Sequence, residues 1–166
     1  MAILKVIEEP DPLLHRISRP IKTINADIRK TLDDMLETMY DYNGIGLAAI
    51  QVGLLKRMLV IDLGDPSEVD TWQGVPLKII NPQIFWASEV FNTFTEGCLS
   101  VPQHYVDKSR PSEVKVRYQD EQGTFHELFA RGLLATCLQH EIDHLNGITL
   151  LNGPVPLSQK ELLFLS

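Results

Sequence analysis

The sequence predicts a unit of mixed class, built from helices and antiparallel strands, and three stretches carry that expectation. Residues 25–42 place Ile28, Leu32, Met35, Leu36 and Met39 on one face at helical period. Residues 112–118 and 124–129 alternate polar and apolar side chains around a polar turn at 120–123, which is the pattern of a β-hairpin. Residues 133–145, LLATCLQHEIDHL, read as a second helix in which Leu133, Leu134, Ala135, Cys137, Leu138, Ile142 and Leu145 leave no polar side. A helix that is apolar nearly all round is a buried one.

Composition sets the outer limits. The chain has 166 residues, 44% of them hydrophobic and 22% charged, which suits a single domain over 1–166 with a sizeable core. A net charge of −7 argues against nucleic acid as a direct partner, because no basic patch would neutralise phosphates. No stretch approaches the roughly 20 apolar residues of a membrane span. The start, MAILKVIEEPDP, has no basic segment followed by a long apolar run, so no secretory signal is expected. Two cysteines, Cys98 and Cys137, fit reduced thiols in the cytoplasm.

Taken in order, residues 3–7 are apolar and β-prone. Asp11 caps a short turn with Pro12 at its first position, and Asn25 caps the longer helix. The stretch GIGLAAIQ at 44–51 reads, on residue types alone, as a loop entering a strand with Gln51 in solvent. Strands are expected at 58–63 and at 77–80, the latter ended by Asn81-Pro82, and one or two more within 84–94. Residues 64–76 read as a surface loop. TEGCLSVP, at 95–102, puts Cys98 near a turn. Gly132 leads into the second helix and Asn146-Gly147 closes it. Ser158-x-x-Glu161 resembles the capping box of a short last helix.

The second helix carries His140-Glu141-Ile142-Asp143-His144. Histidines at i and i+4 lie one turn apart on one face, close enough for both imidazoles to hold one ion at the usual Zn–N distance of about 2 Å. Glu141 is turned about 100° from His140, free to lean over a bound water rather than ligate. Two incidental histidines on a surface helix are the competing interpretation. Cys98 supplies the only distant soft ligand, although a lone cysteine is more often a small buried group.

Together, GIGLAAIQ (44–51), EGCLS (96–100) and QHEIDH (139–144) resemble the three motifs of bacterial peptide deformylases, in the same order and over nearly the whole chain. The resemblance implies an α+β fold, antiparallel strands packed around a central buried metal-binding helix. It implies removal of the formyl group from N-formylmethionine on nascent chains, with release of formate. By that resemblance Cys98, His140 and His144 are the metal ligands, with water in the fourth position. Glu141 is the general acid/base, and Gln51 and the backbone N–H of Leu99 face the oxyanion. Gly44, Ile45 and Gly46 pair with the substrate backbone. Ile45, Phe94, Leu133, Thr136, Cys137 and His140 line the methionine pocket, with plain core packing as the alternative for Phe94, Leu133 and Cys137. One divalent ion is implied, Fe²⁺ in the cell, replaceable by Zn²⁺, Ni²⁺ or Co²⁺, all compatible with a thiolate and two imidazoles. Arg110 is expected to brace the site by pairing with Glu96 or Asp143, against the alternative of three surface charges. The tail after Leu151 is short, which puts the family's ribosome docking in doubt here.

Two rivals share the residues. Zinc peptidases also use H-E-x-x-H, but the extended form with a third histidine fails at Leu150, and a glutamate-ligated form would need Glu161 and leave Cys98 unused. A purely structural site would need a fourth protein ligand.

Overall fold

The computed structural model describes residues 2–151. Helix α1 spans Ala26–Asp41 and helix α2 spans Gly132–Leu145. Seven strands lie between and around them: β1 (Gly46–Ala48), β2 (Met58–Ile61), β3 (Leu77–Ala87), β4 (Phe91–Cys98), β5 (Val101–Pro111), β6 (Glu113–Gln119) and β7 (Phe125–Arg131). The strands form a five-stranded sheet in the order β1-β2-β3-β6-β7 and a separate two-stranded ribbon of β4 and β5, with every pairing between strands antiparallel. This is the expected α+β arrangement. Among the described residues no helix is long and apolar enough to cross a membrane.

Strand β2 explains how the layers assemble. All four of its residues are buried, because the sheet is covered on both faces at this point. Leu59 and Ile61 join a core with Ile79, Val114, Val116, Leu134, Leu138 and Ile142 on the α2 side. Met58 and Val60 face the other way, into a core with Ile28, Leu32, Met35 and Met39 of α1. A strand covered on both faces reads as an unbroken apolar run, as MLVI does. The α1 methionines are scaffold, as expected.

Local signals set the helix ends. Asn25 accepts a hydrogen bond from Ile28 N at 3.0 Å, and Asp11 accepts one from Leu13 N at 3.0 Å, with Pro12 opening the turn. At the end of α2, Arg57 Nη1 and Ser18 N both donate to Leu145 O, at 2.9 Å each, so the last carbonyls are met by a cation and an amide. Gly147 has φ +75°, and a Cβ there would stand 2.6 Å from His15 O. Only glycine fits both the left-handed turn and that contact.

Four expectations need correction. Residues 3–7 form no strand; they lie along α1, where Leu4 N donates to Thr38 Oγ1 at 2.8 Å. Strand β3 does not stop at Asn81-Pro82. Asn81 adopts φ +53° in an irregularity of the β3–β6 register, and its amide pairs with both backbone groups of Ile21 at 2.8 Å, so the strand passes through. Gln51 is not solvated but 1% exposed. Strand β5 was not expected at all, because its outward residues are polar and its partner β4 alone defines it. The capping box at Ser158 and Glu161 lies outside the described residues.

The amino-terminal segment is clamped to α1 by Asp34, which accepts from Ala2 N at 2.8 Å and from Lys30 Nζ at 2.9 Å. These two bonds, Lys30 first, hold its carboxyl below the ordinary aspartate range. A carboxyl depressed in the folded state adds stability above its unfolded pKa and loses it as pH falls through the folded value. Asp34→Ala is expected to cost about 1–2 kcal/mol near neutral pH. In denaturant titrations the gap from the parent chain should close as pH falls from about 5 to about 3. A gap independent of pH would show that the charge of Asp34 contributes nothing.

Candidate metal centre

Two elements far apart in sequence deliver the three donors. Helix α2 carries His140 and His144 one turn apart, as their spacing requires. The end of β4 carries Cys98, where the β4–β5 register shifts beside Gly97 and turns the strand end toward the helix. The ligand atoms of Cys98, His140 and His144 all lie within 4.8 Å of one another. Cys98 Sγ is 3.4 Å from His144 Nε2. That is a thiol and two imidazoles converging on one point, with both histidines buried and Cys98 partly open to the cleft. Cys137 is not part of the group; burial pushes its thiol far up, so it stays protonated as an apolar wall residue.

The histidine tautomer follows from Glu96. Its Oε1 accepts from His140 Nδ1 at 3.0 Å, so Nδ1 keeps its proton and Nε2 turns its lone pair to the site. Glu96 is in turn gripped by Arg110, whose Nε and Nη2 reach its two oxygens at 2.8 and 3.0 Å. Arg110 Nη1 also donates to Asp143 Oδ2 at 2.8 Å. The sequence left Arg110 two possible partners, and the fold gives it both. Burial pushes the Glu96 carboxyl up and the Arg110 guanidinium down, but their mutual pairing, with His140 and Asp143, outweighs it, so both are charged.

Electrostatics favours a cation. Burial pushes His140 down, yet Glu141, Cys98 and Glu96 together lift it to about 10. An anionic surround that favours a proton on His140 equally favours a metal ion in its place. His144, held well below the usual imidazole range by burial and by His140, stays neutral as a ligand must. The donor set therefore fits one divalent ion, with no fourth protein ligand among the described residues.

Beside these donors, Glu141 is 5% exposed, and burial pushes it up to about 7. Its Oε2 lies 3.9 Å from His140 Nε2, and its Oε1 has no hydrogen-bond partner among the described residues. Gly46 of β1 backs it: a Cβ there would lie 2.5 Å from Glu141 Oε2. Gly44 is likewise pressed on Leu99, 2.8 Å from a would-be Cβ to Cδ1. A side chain at either glycine of the G-x-G would therefore have to displace the end of Leu99 or of Glu141.

Gln51 follows β1 in the short 3-10 turn Ala49–Val52. Its Oε1 accepts from Ala48 N at 2.9 Å, which fixes the amide so that Nε2 faces the site. Nε2 donates to Ser100 Oγ at 3.1 Å and points at Cys98 Sγ, 3.5 Å away. Ser100, fully buried, was missed by the sequence reading although it closes the EGCLS motif; its signal was there, without a partner to interpret it. The N–H of Leu99 donates to no described acceptor.

These residues open onto a cleft of about 710 Å³ that also contains Ile45, Phe94, Leu133, Thr136 and Cys137. Its outer rim adds Tyr42, His104 and Tyr105, which the sequence reading did not single out. Strand β1 forms the edge of the five-stranded sheet there, since it pairs only with β2. Its free side is open to an added strand. A cation, a buried carboxylate and amide donors around one cleft can hydrolyse an amide.

A model of the polypeptide deformylase family matches residues 3–160. The chain is 54% identical over 147 residues to a peptide deformylase of Bartonella quintana, covering 89% of this chain and 81% of that one. Its identity to a peptide deformylase of Rhizobium meliloti is 51% over 148 residues, covering 89% and 83%. A solved peptide deformylase of Ehrlichia chaffeensis, in complex with actinonin, superposes with a TM-score of 0.89 at 39% identity, covering 98% of this chain and 94% of that one.

Two predictions follow from the geometry. Arg110→Ala leaves Glu96 a buried charge without its cation and loosens the His140 ring. Metal affinity, read by competition with a chromogenic chelator, should fall about 10- to 100-fold; unchanged affinity would reduce the ion pairs to ornament. Gly46→Ala should displace Glu141 and lower kcat while metal content stays at the parent level, and a parent-like kcat would show that Glu141 tolerates the displacement.

Proposed function

The chain belongs to the polypeptide deformylase family, and from that premise we propose which of its residues carry each part of the reaction. The activity is hydrolysis of the N-formyl group from nascent peptides, with a metal ion required. In our reading residues 1–166 act as one catalytic domain. Cys98, His140 and His144 hold the ion, and Glu141, Gln51 and Leu99 do the chemistry around it. The observation that carries this reading is the convergence of the Cys98, His140 and His144 ligand atoms within 4.8 Å.

A divalent ion so held supplies Lewis acidity, which polarises a carbonyl and lowers the pKa of water from about 15.7 toward 7. The chain's own residues do the rest. The formyl-peptide lies along the free edge of β1, its backbone paired with Gly44, Ile45 and Gly46, so that most downstream side chains go unread. Glu141, with a pKa near neutrality, accepts the proton of the attacking water. As the formyl carbon becomes tetrahedral, Gln51 Nε2 and Leu99 N–H donate to its oxygen. Glu141 then returns the proton to the departing amine nitrogen, the C–N bond breaks, and formate and the free amine leave. The side chain of the formylated residue sits among Phe94, Leu133, Thr136 and Cys137. Arg110, Glu96 and Asp143 hold His140 in orientation.

We assign Fe²⁺ as the ion in the cell, with Zn²⁺, Ni²⁺ and Co²⁺ able to replace it, since a thiolate and two imidazoles accept all four. We place the enzyme in the cytoplasm, acting on chains as they emerge. Docking on the ribosome through the carboxy-terminal tail would involve residues outside those described.

Glu141→Gln is expected to keep its metal and to lose about 10²–10⁴-fold in formate release from a formyl-Met peptide. Cys98→Ala should lose metal and activity together. A Glu141→Gln enzyme with parental turnover, or a Cys98→Ala enzyme with a full complement of metal, would overturn the assignment.

A further inference from the structure

The inner wall of the cleft carries polarity that the hydrolysis does not use. Thr136 lines the cleft beside Cys137 and is 3% exposed, yet its Oγ1 has no hydrogen-bond partner among the described residues. A helical threonine ordinarily bonds a carbonyl in the preceding turn; this one does not. On the facing ribbon, Lys108 is the register partner of Phe94. Alternation along β5 puts Lys108 on the same inward side as Arg110, it is 7% exposed, and it makes no hydrogen bond or ion pair with a described residue. One buried donor without an acceptor therefore belongs to the pocket wall, Thr136 Oγ1; Lys108 pairs across the ribbon with Phe94 but is not among the residues that line the cleft. A buried hydroxyl left unpaired carries a desolvation cost that an acceptor on a ligand relieves.

We propose that Thr136 is a specificity-determining residue, its hydroxyl donating a hydrogen bond to a heteroatom in the side chain of the formylated residue. This rests on the deformylase reading above and names what the pocket selects. A thioether sulfur is a weak acceptor, a hydrocarbon of the same length is none, and a sulfoxide oxygen is a strong one. A wall of hydrocarbon alone would strip the sulfoxide of water and give it nothing in return. With the Thr136 hydroxyl, the pocket discriminates for the thioether and admits N-formylmethionine sulfoxide, the oxidised form of the first residue.

The test compares kcat/KM on formyl tripeptides that differ only in their first side chain: methionine, norleucine or methionine sulfoxide. The parent enzyme is set beside Thr136→Val and Thr136→Ser. In Thr136→Val the sulfoxide-to-norleucine ratio should fall about tenfold, and in Thr136→Ser, which keeps the hydroxyl, it should stay within about twofold. Thr136→Ala serves if the valine variant does not fold, since alanine is well suited to a helix. A ratio that is the same with and without the hydroxyl overturns the proposal. No turnover of the formyl-Met peptide by the metal-loaded parent overturns the functional reading itself, and this proposal with it.

Discussion

The structure depends on one constraint: two imidazoles and a carboxyl on a buried helix have to be held against a shared cation. His140, Glu141 and His144 of α2 are all at least nine-tenths shielded from solvent. In that setting each charge must be matched or it shifts to its neutral form. The fold answers with a relay of contacts that runs from solvent inward. Asp143 is partly exposed and holds Arg110; Arg110 holds Glu96; Glu96 holds His140 Nδ1. The anchoring partners of His140 come from β4 and β5, so the two-stranded ribbon is fastened to the helix by charge as much as by apolar contact.

The same constraint explains why α2 is apolar on its other sides. Leu134, Leu138, Ile142 and Leu145 pack on the sheet, and this fixes the helix rotation that sends His140 and His144 toward β4. Buried ion pairs add little net stability, because desolvation offsets most of the Coulomb gain. Their role here is geometric: they hold a ring and a carboxylate still, while the sheet cores on both sides of β2 hold the fold together.

Much of this was legible in the residues, and what was not has a common cause. The caps at Asp11 and Asn25, the α1 face and the β6–β7 hairpin depend on neighbours close in sequence, so pattern alone finds them; the ends of α2 were legible from Gly132 and Asn146-Gly147, although Ser18, Arg57 and His15 complete the far end. The H-E-x-x-H helix was legible for the same reason. Strand β5 was not, since its inward residues Lys108 and Arg110 are charged and imitate a surface segment until Glu96 is placed beside them. Gln51 read as solvated because its partners, Ser100 and Cys98, come from a distant segment. Gly44 and Gly46 looked like loop glycines, and only the positions of Leu99 and Glu141 reveal what a larger residue there would displace. Remote contacts turned polar residues inward, and no local period records that.

A deformylase meets nascent chains of every sequence, so it has to read the first residue closely and the rest hardly at all. Those needs conflict if side chains do the reading throughout. On the proposed assignment the arrangement separates them. A three-residue edge strand offers main-chain pairing, which is blind to side chains because alternate residues simply point away. Discrimination is then concentrated in one pocket between β4 and α2. The pocket wall shares its two elements with the metal centre: Thr136 and Cys137 lie one turn of α2 before His140 and Glu141, and Phe94 lies two residues before Glu96. On that assignment, a side chain that seats properly in the pocket places its own formyl carbon against Glu141 and Gln51. One that seats badly shifts the carbon by the same rigid lever, so recognition and positioning become a single event. Selectivity of this kind registers in turnover as well as in binding, because misplacement by a fraction of an ångström weakens the donors to the oxyanion before it weakens the rest of the contact.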